Sequence, residues 1–176
     1  GAFGGWDGLL TGKSLLGQVE GYLRRSQLSV EARDLIATVA ALGGVDDSDL
    51  QRLAGTVEVR RPDVGRLVRA VADGGLLDVE QYRERDGLRR HYTVRPPMLA
   101  EAIATEHFFL GEAPLGDIAV VMAKWPDRTK DLLGMTCTAA RFGSASARAT
   151  VDDLVSASLA DLDSTATRPV LHAYAL

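Results

Sequence analysis

The string TGKS at residues 11–14 is the first candidate for chemistry in this chain. A glycine-rich loop that ends in Lys-Ser can bind phosphate through its backbone N–H groups. That motif also needs a glycine five positions before Gly12, and the chain has Asp7 there. No strand-like segment precedes the string, so we interpret it as the start of a helix rather than as a nucleotide loop.

The histidines and the cysteine offer no catalytic or metal-binding arrangement. His91, His107 and His172 are well separated, and none has a second histidine or a cysteine at the spacing of zinc ligands. Cys137 lies in the apolar stretch DLLGMTCTAARF, which predicts a buried, unreactive thiol. We therefore predict no catalytic residue, no metal and no cofactor in this chain, and no enzymatic activity for the chain alone.

The arginines between residues 60 and 95 are the second candidate. This stretch holds nine arginines and six acidic residues, a local excess of positive charge in a chain whose net charge is −4. In a DNA-binding protein such arginines neutralise phosphates and reach guanine edges. The candidate DNA contacts are Arg60, Arg61, Arg66, Arg69, Arg83, Arg85, Arg89 and Arg90.

Two features weaken the DNA interpretation. Asp63 and Arg66 are spaced for pairing along one face of a helix, as are Arg69 and Asp73, and pairing would neutralise much of the excess charge. The stretch RERD alternates in sign, and the helix offers no Asn, Gln or Ser for base recognition. We expect at most weak binding that is indifferent to sequence, with a dissociation constant of roughly 10⁻⁴ to 10⁻⁶ M.

Length and composition bound the scaffold that carries these residues. The 176 residues are 46% hydrophobic, 25% charged and only 6% aromatic. They suffice for one ordinary domain or two small ones with a core of Leu, Val and Ala, which favours helices. The single cysteine excludes an internal disulfide, and no apolar run reaches the length of a membrane span. We therefore expect a cytoplasmic protein with no membrane partner. Because the sequence begins GAFGGWDG without Met, we expect a piece cut from a longer protein.

Two helices are predicted at the start of the chain. Residues 1–27 are interpreted as a linker and a leading helix over 13–25. The apolar stripe of that helix consists of Leu15, Leu16, Val19, Tyr22 and Leu23. The next helix is capped by Ser29, has Glu31 in its first turn, and ends at Gly43-Gly44.

A helix pair and a ribbon are predicted next. A short helix covers 46–54, and a longer one begins near Pro62 and ends at Gly74-Gly75. Residues 76–82 and 88–94 have the composition of strands, and we expect them to pair as an antiparallel ribbon with a turn at Asp86-Gly87.

The order of these elements predicts a mainly α fold that begins with a winged helix. Three helices, a two-stranded wing and a closing helix occupy 28–110, and everything outside the ribbon is expected to be helical. Beyond Pro114, three further helices separated by Pro, Gly or Ser predict a short, repeat-like helical domain over 111–176. Its last residues, RPVLHAYAL, are apolar, so we expect this domain to be incomplete.

Three stretches of the chain resemble the winged-helix module of STAND-type P-loop ATPases, the NACHT and NB-ARC relatives that include bacterial defence ATPases. They are VEARDLIATVAALGGVDDSDLQRLAG, LVRAVADGGLLDV and HYTVRPPMLAEAIATEHFF. In that family the module follows a nucleotide-binding core and precedes helical repeats. The resemblance implies a regulatory segment that packs on this core as its partner and controls switching and homo-oligomerisation. ATP or ADP and Mg would then belong to the parent protein.

The resemblance also implies one nucleotide-binding residue. The family often carries a Met-His-Asp motif before the last helix of the module, and its histidine contacts a phosphate of the nucleotide. Val94, Arg95 and Pro96 occupy those three places here, so Arg95 keeps a cation while the aspartate is lost. The other interpretation of Arg95 is a solvent-exposed arginine at the end of a strand.

Two other functions are compatible with the same elements. The chain could be a transcription regulator whose winged helix binds DNA and whose C-terminal helices dimerise or bind a ligand. It could also be a protein-interaction adaptor without affinity for nucleic acid. The parent reading frame discriminates among them, because only the ATPase interpretation requires a phosphate loop upstream of Gly1.

Overall fold

A computed structural model describes residues 28–84, 87–110, 115–141 and 144–160. The chain divides into two compact units, Gly1–Ala104 and Thr105–Leu176. The described part is mainly helical, with a small three-stranded antiparallel sheet in the first unit. The predicted leading helix and the string TGKS lie outside the described residues. The division falls inside the helix that covers Pro97–Phe109.

The first helix, α1, covers Val30–Ala41 and confirms the sequence prediction. Ser29 Oγ accepts a hydrogen bond from the backbone N–H of Ala32 at 3.3 Å, so it satisfies one of the N–H groups that a helix start leaves unpaired. Leu35 and Ile36 are fully buried. The helix ends where Gly43 and Gly44 take positive φ angles of 71° and 124°, which side chains with a Cβ adopt at a cost.

The expectation of a helix over 46–54 is wrong at its beginning. Val45–Asp46 forms a short strand, β1, the next three residues form a 3₁₀ turn over Asp47–Asp49, and helix α2 covers only Leu50–Thr56. Val45 pairs with Tyr92 and Asp46 with His91 in antiparallel register. The prediction that everything outside the ribbon is helical is therefore wrong as well, because burying Val45 against Tyr92 outweighs local helix propensity.

Helix α3 covers Arg61–Asp73 and begins and ends as the sequence predicts. Pro62 lies in its first turn, where the missing N–H costs no helical hydrogen bond. Val64, Val68 and Val71 are buried along one side. The chain leaves the helix through Gly75, whose φ is 74°.

The ribbon consists of β2, Asp78–Glu84, and β3, Gly87–Thr93. It starts two residues later than predicted, and Arg85 and Asp86 of the predicted turn lie outside the described residues. The strand order in the sheet is β1-β3-β2, so β3 is the central strand. Val79 pairs with Tyr92, and Tyr92 is buried, which identifies the face of the ribbon that contributes to the core.

Helix α4 covers Pro97–Phe109 and follows the ribbon as predicted. In the second unit, α5 covers Ile118–Lys124, α6 covers Thr129–Arg141 and α7 covers Ala145–Ala160, with a 3₁₀ turn over Pro126–Arg128. These elements confirm the prediction of three helices after Pro114.

The core of the second unit is built around Trp125, which is only 1% exposed. Ser144 Oγ and Ser146 Oγ donate hydrogen bonds to the carbonyl oxygen of Phe109 at 2.7 and 3.2 Å, and so connect the start of α7 to the last turn of α4. Cys137 is half-buried rather than buried as predicted. Among the described helices, none combines the length and the apolar character that crossing a membrane requires.

Candidate functional site

A polar cluster joins β1 to the central strand of the sheet. His91 Nδ1 lies 2.7 Å from Asp46 Oδ1, and the two side chains are 28% and 31% exposed. The backbone of Gly44 passes close to the other side of the imidazole, because a Cβ placed on Gly44 would lie 2.6 Å from His91 Nε2. The ring is therefore confined between a carboxylate and the backbone that leads into β1.

Asp47 makes a second set of contacts to the same strand. Its Oδ2 accepts from the backbone N–H of Arg90 at 3.1 Å, and its Oδ1 accepts from the Tyr92 hydroxyl at 2.9 Å. Burial raises the pKa of the Tyr92 phenol above its ordinary value, and the hydrogen bond to the Asp47 carboxylate raises it further. Tyr92 thus remains a neutral donor at physiological pH and fixes the turn after β1 to β3.

Arg95 lies just after β3 and is held by two carboxylates of β2. Its Nε is 3.4 Å from Asp78 Oδ2, and its Nη2 donates to Glu80 Oε1. The Arg95 side chain remains 55% exposed. The residue that the resemblance assigns to a nucleotide phosphate is therefore already paired within its own unit.

On α3, only one of the two predicted ion pairs forms. Arg66 Nη2 donates to Asp63 Oδ1 at 2.6 Å. No ion pair joins Arg69 to Asp73 in the part of the chain that the structure describes, and both side chains are exposed.

The candidate DNA contacts do not share one surface. In the ribbon, residues directly opposite each other lie on the same face, and alternate residues lie on opposite faces. Arg83 and Arg90 therefore lie on the face of Tyr92, whereas Arg89 lies on the face of His91. Arg60 is exposed immediately before α3, and the positions of Arg85 and of the Arg61 side chain lie outside what the structure describes.

The contacts of Asp46 and Asp47 hold β1 and the turn after it against β3, and they suit this structural role better than catalysis. A histidine oriented by a carboxylate can act as a general base, but such a base needs a reacting group within hydrogen-bond reach. The Nε2 side of His91 faces the Gly44 backbone instead. Within the described residues, no group of three His, Cys, Asp or Glu side chains could hold a metal ion.

Sequence analysis missed the contacts of Asp46, Asp47 and Tyr92, because it placed both aspartates at the start of a predicted helix. One available signal was the pair of glycines before Val45, since two consecutive positive-φ positions can turn a chain into a strand as well as end a helix. Comparison with known proteins adds no assignment: no protein family, no curated protein and no solved structure matches this chain.

Proposed function

We propose that residues 28–110 form a winged helix that acts as a regulatory segment of a STAND-type signalling ATPase, and that the helical domain over 111–176 begins a repeat array. The element order supports the winged helix, because a closely spaced helix pair, α2 and α3, is followed directly by a two-stranded ribbon and a closing helix. In the parent protein, this segment packs on the nucleotide-binding core at rest and moves away when a trigger binds, which permits oligomerisation.

The observation that carries this proposal is the internal pairing of exposed arginines. Arg66 is held by Asp63, and Arg95 is held by Asp78 and Glu80. Binding to DNA depends on cations that replace the counterions of phosphates, and a paired arginine must first give up its carboxylate. A surface of mixed, internally paired charges suits the polar interface between two protein domains better.

Arg95 is the point at which this segment would sense nucleotide. A guanidinium can bind either a carboxylate or a phosphate through two parallel hydrogen bonds, so the two partners compete for it. In the proposed resting state, Arg95 exchanges Asp78 and Glu80 for a phosphate of the nucleotide. When the phosphate is lost, Arg95 pairs again with Asp78 and Glu80, and the segment binds the nucleotide-binding core less tightly.

Nucleotide retention by the parent protein tests the proposal. Its gene should encode a phosphate loop and an acidic metal-binding strand upstream of Gly1. Arg95→Ala should weaken ADP retention by roughly ten- to a hundredfold, the change expected for a charge-assisted hydrogen bond of about 1.5–3 kcal/mol, and should raise signalling without the trigger. The double variant Asp78→Asn, Glu80→Gln should strengthen retention, because it removes the carboxylates that compete for Arg95.

The matched control is Arg83→Ala, which removes an exposed arginine of β2 and should leave retention unchanged. A reading frame that opens close to Gly1 contradicts the proposal. So does an Arg95→Ala parent protein with unchanged nucleotide affinity and unchanged basal activity.

A second candidate function, a DNA-binding transcription regulator, is favoured by two exposed arginines, Arg60 immediately before α3 and Arg69 in its middle. Fluorescence anisotropy with a labelled duplex separates the two. Our proposal expects binding in the range of roughly 10⁻⁴ to 10⁻⁶ M at physiological salt for any sequence. A preferred sequence bound thousands of times more tightly would favour the regulator.

A further inference from the structure

The outer side of β2 is a free edge of the sheet. β2 lies at one end of the strand order β1-β3-β2, and in the part of the chain that the structure describes it pairs only with β3. In an antiparallel pair, hydrogen-bonded residue pairs alternate with pairs whose N–H and C=O groups point away from the partner strand. The phase of this alternation decides which residues of β2 direct their backbone groups outward.

Two hydrogen bonds fix this phase. The backbone N–H of Arg90 donates to Asp47 Oδ2 at 3.1 Å and so points away from β2. Gln81 lies directly opposite Arg90 and therefore belongs to a pair that is not hydrogen-bonded, and Val79 shares its orientation by alternation. The N–H of Val79 indeed donates to Asp78 Oδ1 at 3.1 Å. Val79 and Gln81 consequently direct their N–H and C=O groups to the free side.

We propose that this free side binds an extended segment of a partner protein, which adds one more strand to the sheet. We refer to residues 79–82, seen from this side, as the β2 edge. An extended backbone carries N–H and C=O groups at the repeat of a strand, so it can bond to the outward groups of the edge. Asp78 occupies the N–H of Val79, which makes the N–H of Gln81 the central donor of the β2 edge.

A second copy of this chain fits the β2 edge poorly. Two copies of β2 can pair antiparallel only in registers that place outward residues opposite outward residues. When Gln81 lies opposite its own counterpart, Asp78 lies opposite Glu84 at both ends of the pair. A shift by two residues in either direction places Glu80 opposite Glu80 or Glu84. Carboxylates that lie directly opposite each other destabilise strand pairing, so the occupant is a different chain.

The face of the ribbon that carries Glu80 has more carboxylates than guanidinium groups. Residues directly opposite each other share a face, and alternate residues of one strand lie on opposite faces. The described charged side chains of this face, apart from the imidazole of His91, are Asp46, Asp78, Glu80, Arg89 and Arg95. A segment that adds a positive charge beside this face therefore improves its charge balance.

The side chains of Glu80 and Tyr82 define the composition of the segment. Glu80 is 50% exposed, and Arg95 donates to its Oε1, so its other oxygen can accept from a further cation. Tyr82 is 38% exposed and lies on the same face. The segment should therefore place a basic residue opposite Glu80 and an apolar residue opposite Tyr82. In antiparallel addition, the more stable form of pairing, its sequence reads apolar-x-basic.

Fluorescence anisotropy on the full chain tests the choice of segment. The probe is a short, labelled, threonine-rich peptide with Ile-Thr-Lys at its centre, and the control peptide has Ile-Thr-Glu there. The lysine peptide should bind at least about threefold more tightly, because Glu80 attracts lysine and repels glutamate. Glu80→Lys should reverse this preference.

A pair of variants tests the backbone contact. Gln81→Pro removes the outward N–H, and an edge strand tolerates proline where its N–H faces away from the sheet. Gln81→Ala removes the same side chain but keeps the N–H, so it is the matched control. The proline variant should bind the lysine peptide roughly three- to tenfold more weakly than the alanine variant, the loss expected for one hydrogen bond.

Four results would overturn the proposal. They are the absence of peptide binding, equal binding of the two peptides, equal binding by the proline and alanine variants, and protection of the Gln81 amide that grows with protein concentration without peptide. The last result would identify a second copy as the occupant. If Gln81→Pro also exposes the amides of Leu35 and Ile36 to exchange, the first unit has unfolded, and the reversal by Glu80→Lys decides instead.

Discussion

The two units of this protein use polar side chains in different ways. In the first unit, Asp46 and Asp47 reach residues 45 positions away, and so connect separate elements. In the second unit, Thr136 and Thr138 donate to the carbonyls of Leu132 and Gly134 four residues before them. The long-range contacts of Ser144 and Ser146 described above go to a backbone carbonyl and not to another side chain. Trp125 supplies a buried apolar centre. The first unit therefore depends on specific polar pairs that another molecule could rearrange, whereas the second depends on packing.

The largest expected effect is the loss of the apolar centre in the second unit. Trp125→Ala removes a side chain that is only 1% exposed and should lower the free energy of unfolding by about 3–5 kcal/mol. Chemical denaturation followed by circular dichroism measures this change. A loss below about 1 kcal/mol would mean that packing around Trp125 does not dominate the second unit.

A glycine comparison tests the polar cluster of the first unit. Gly44→Ala imposes a Cβ on a φ of 124° and places it 2.6 Å from His91 Nε2, so it should cost about 2–3 kcal/mol. Gly43→Ala is the control, because its φ of 71° is also positive but no atom lies within 4 Å of the added Cβ. It should cost only about 1 kcal/mol, and equal losses in thermal or chemical denaturation would refute the close approach to His91.

Deprotonation of Tyr92 should lower the stability of the first unit at alkaline pH. Because burial raises the pKa of Tyr92 in the folded state above its ordinary value of 10.0, the folded protein holds this proton more tightly than the unfolded chain does. The resulting stability is fully present below pH 10 and is lost as the pH rises through the folded-state pKa. Urea denaturation at a series of pH values should show this loss in the unaltered protein and a weaker dependence in Tyr92→Phe.

The smallest expected effect on stability is at Arg95. The side chains of its ion pairs with Asp78 and Glu80 are about half exposed, and exposed pairs of this kind contribute about 0.2–1 kcal/mol. Arg95→Ala should therefore lower the free energy of unfolding by less than about 1 kcal/mol in a denaturant titration. A larger loss would identify Arg95 as a structural residue and would explain any defect in nucleotide retention without a direct contact.

Local signals in the sequence predicted most of the helices. These signals are the Ser29 cap, Pro62 in the first turn of α3, and the glycines after α1 and α3. Each acts within a few residues, so it can be recognised in the sequence without knowledge of the fold. The ribbon was predicted for the same reason, apart from a shift of two residues at its start.

The candidate site could not be predicted in the same way. Strand β1 has two residues and no periodicity of its own, and it exists because β3 supplies partners for Val45 and Asp46. The pairing of Arg95 with Asp78 depends on the register of the ribbon, which places Asp78 opposite Thr93. Both features are decided by contacts between distant residues, which spacing along the chain does not encode.

The pairing of Val45 with Tyr92 has a consequence for the order of folding. This contact closes a loop that contains α2, α3 and β2, and the entropy cost of closing such a loop is incurred before the contact is made. We expect the helices and the local β2–β3 ribbon to form first and β1 to join the sheet last. Val45→Ala should then accelerate unfolding while leaving the refolding rate nearly unchanged, as stopped-flow measurements in denaturant can determine. A refolding rate that falls in proportion to the lost stability would place β1 in the folding nucleus instead.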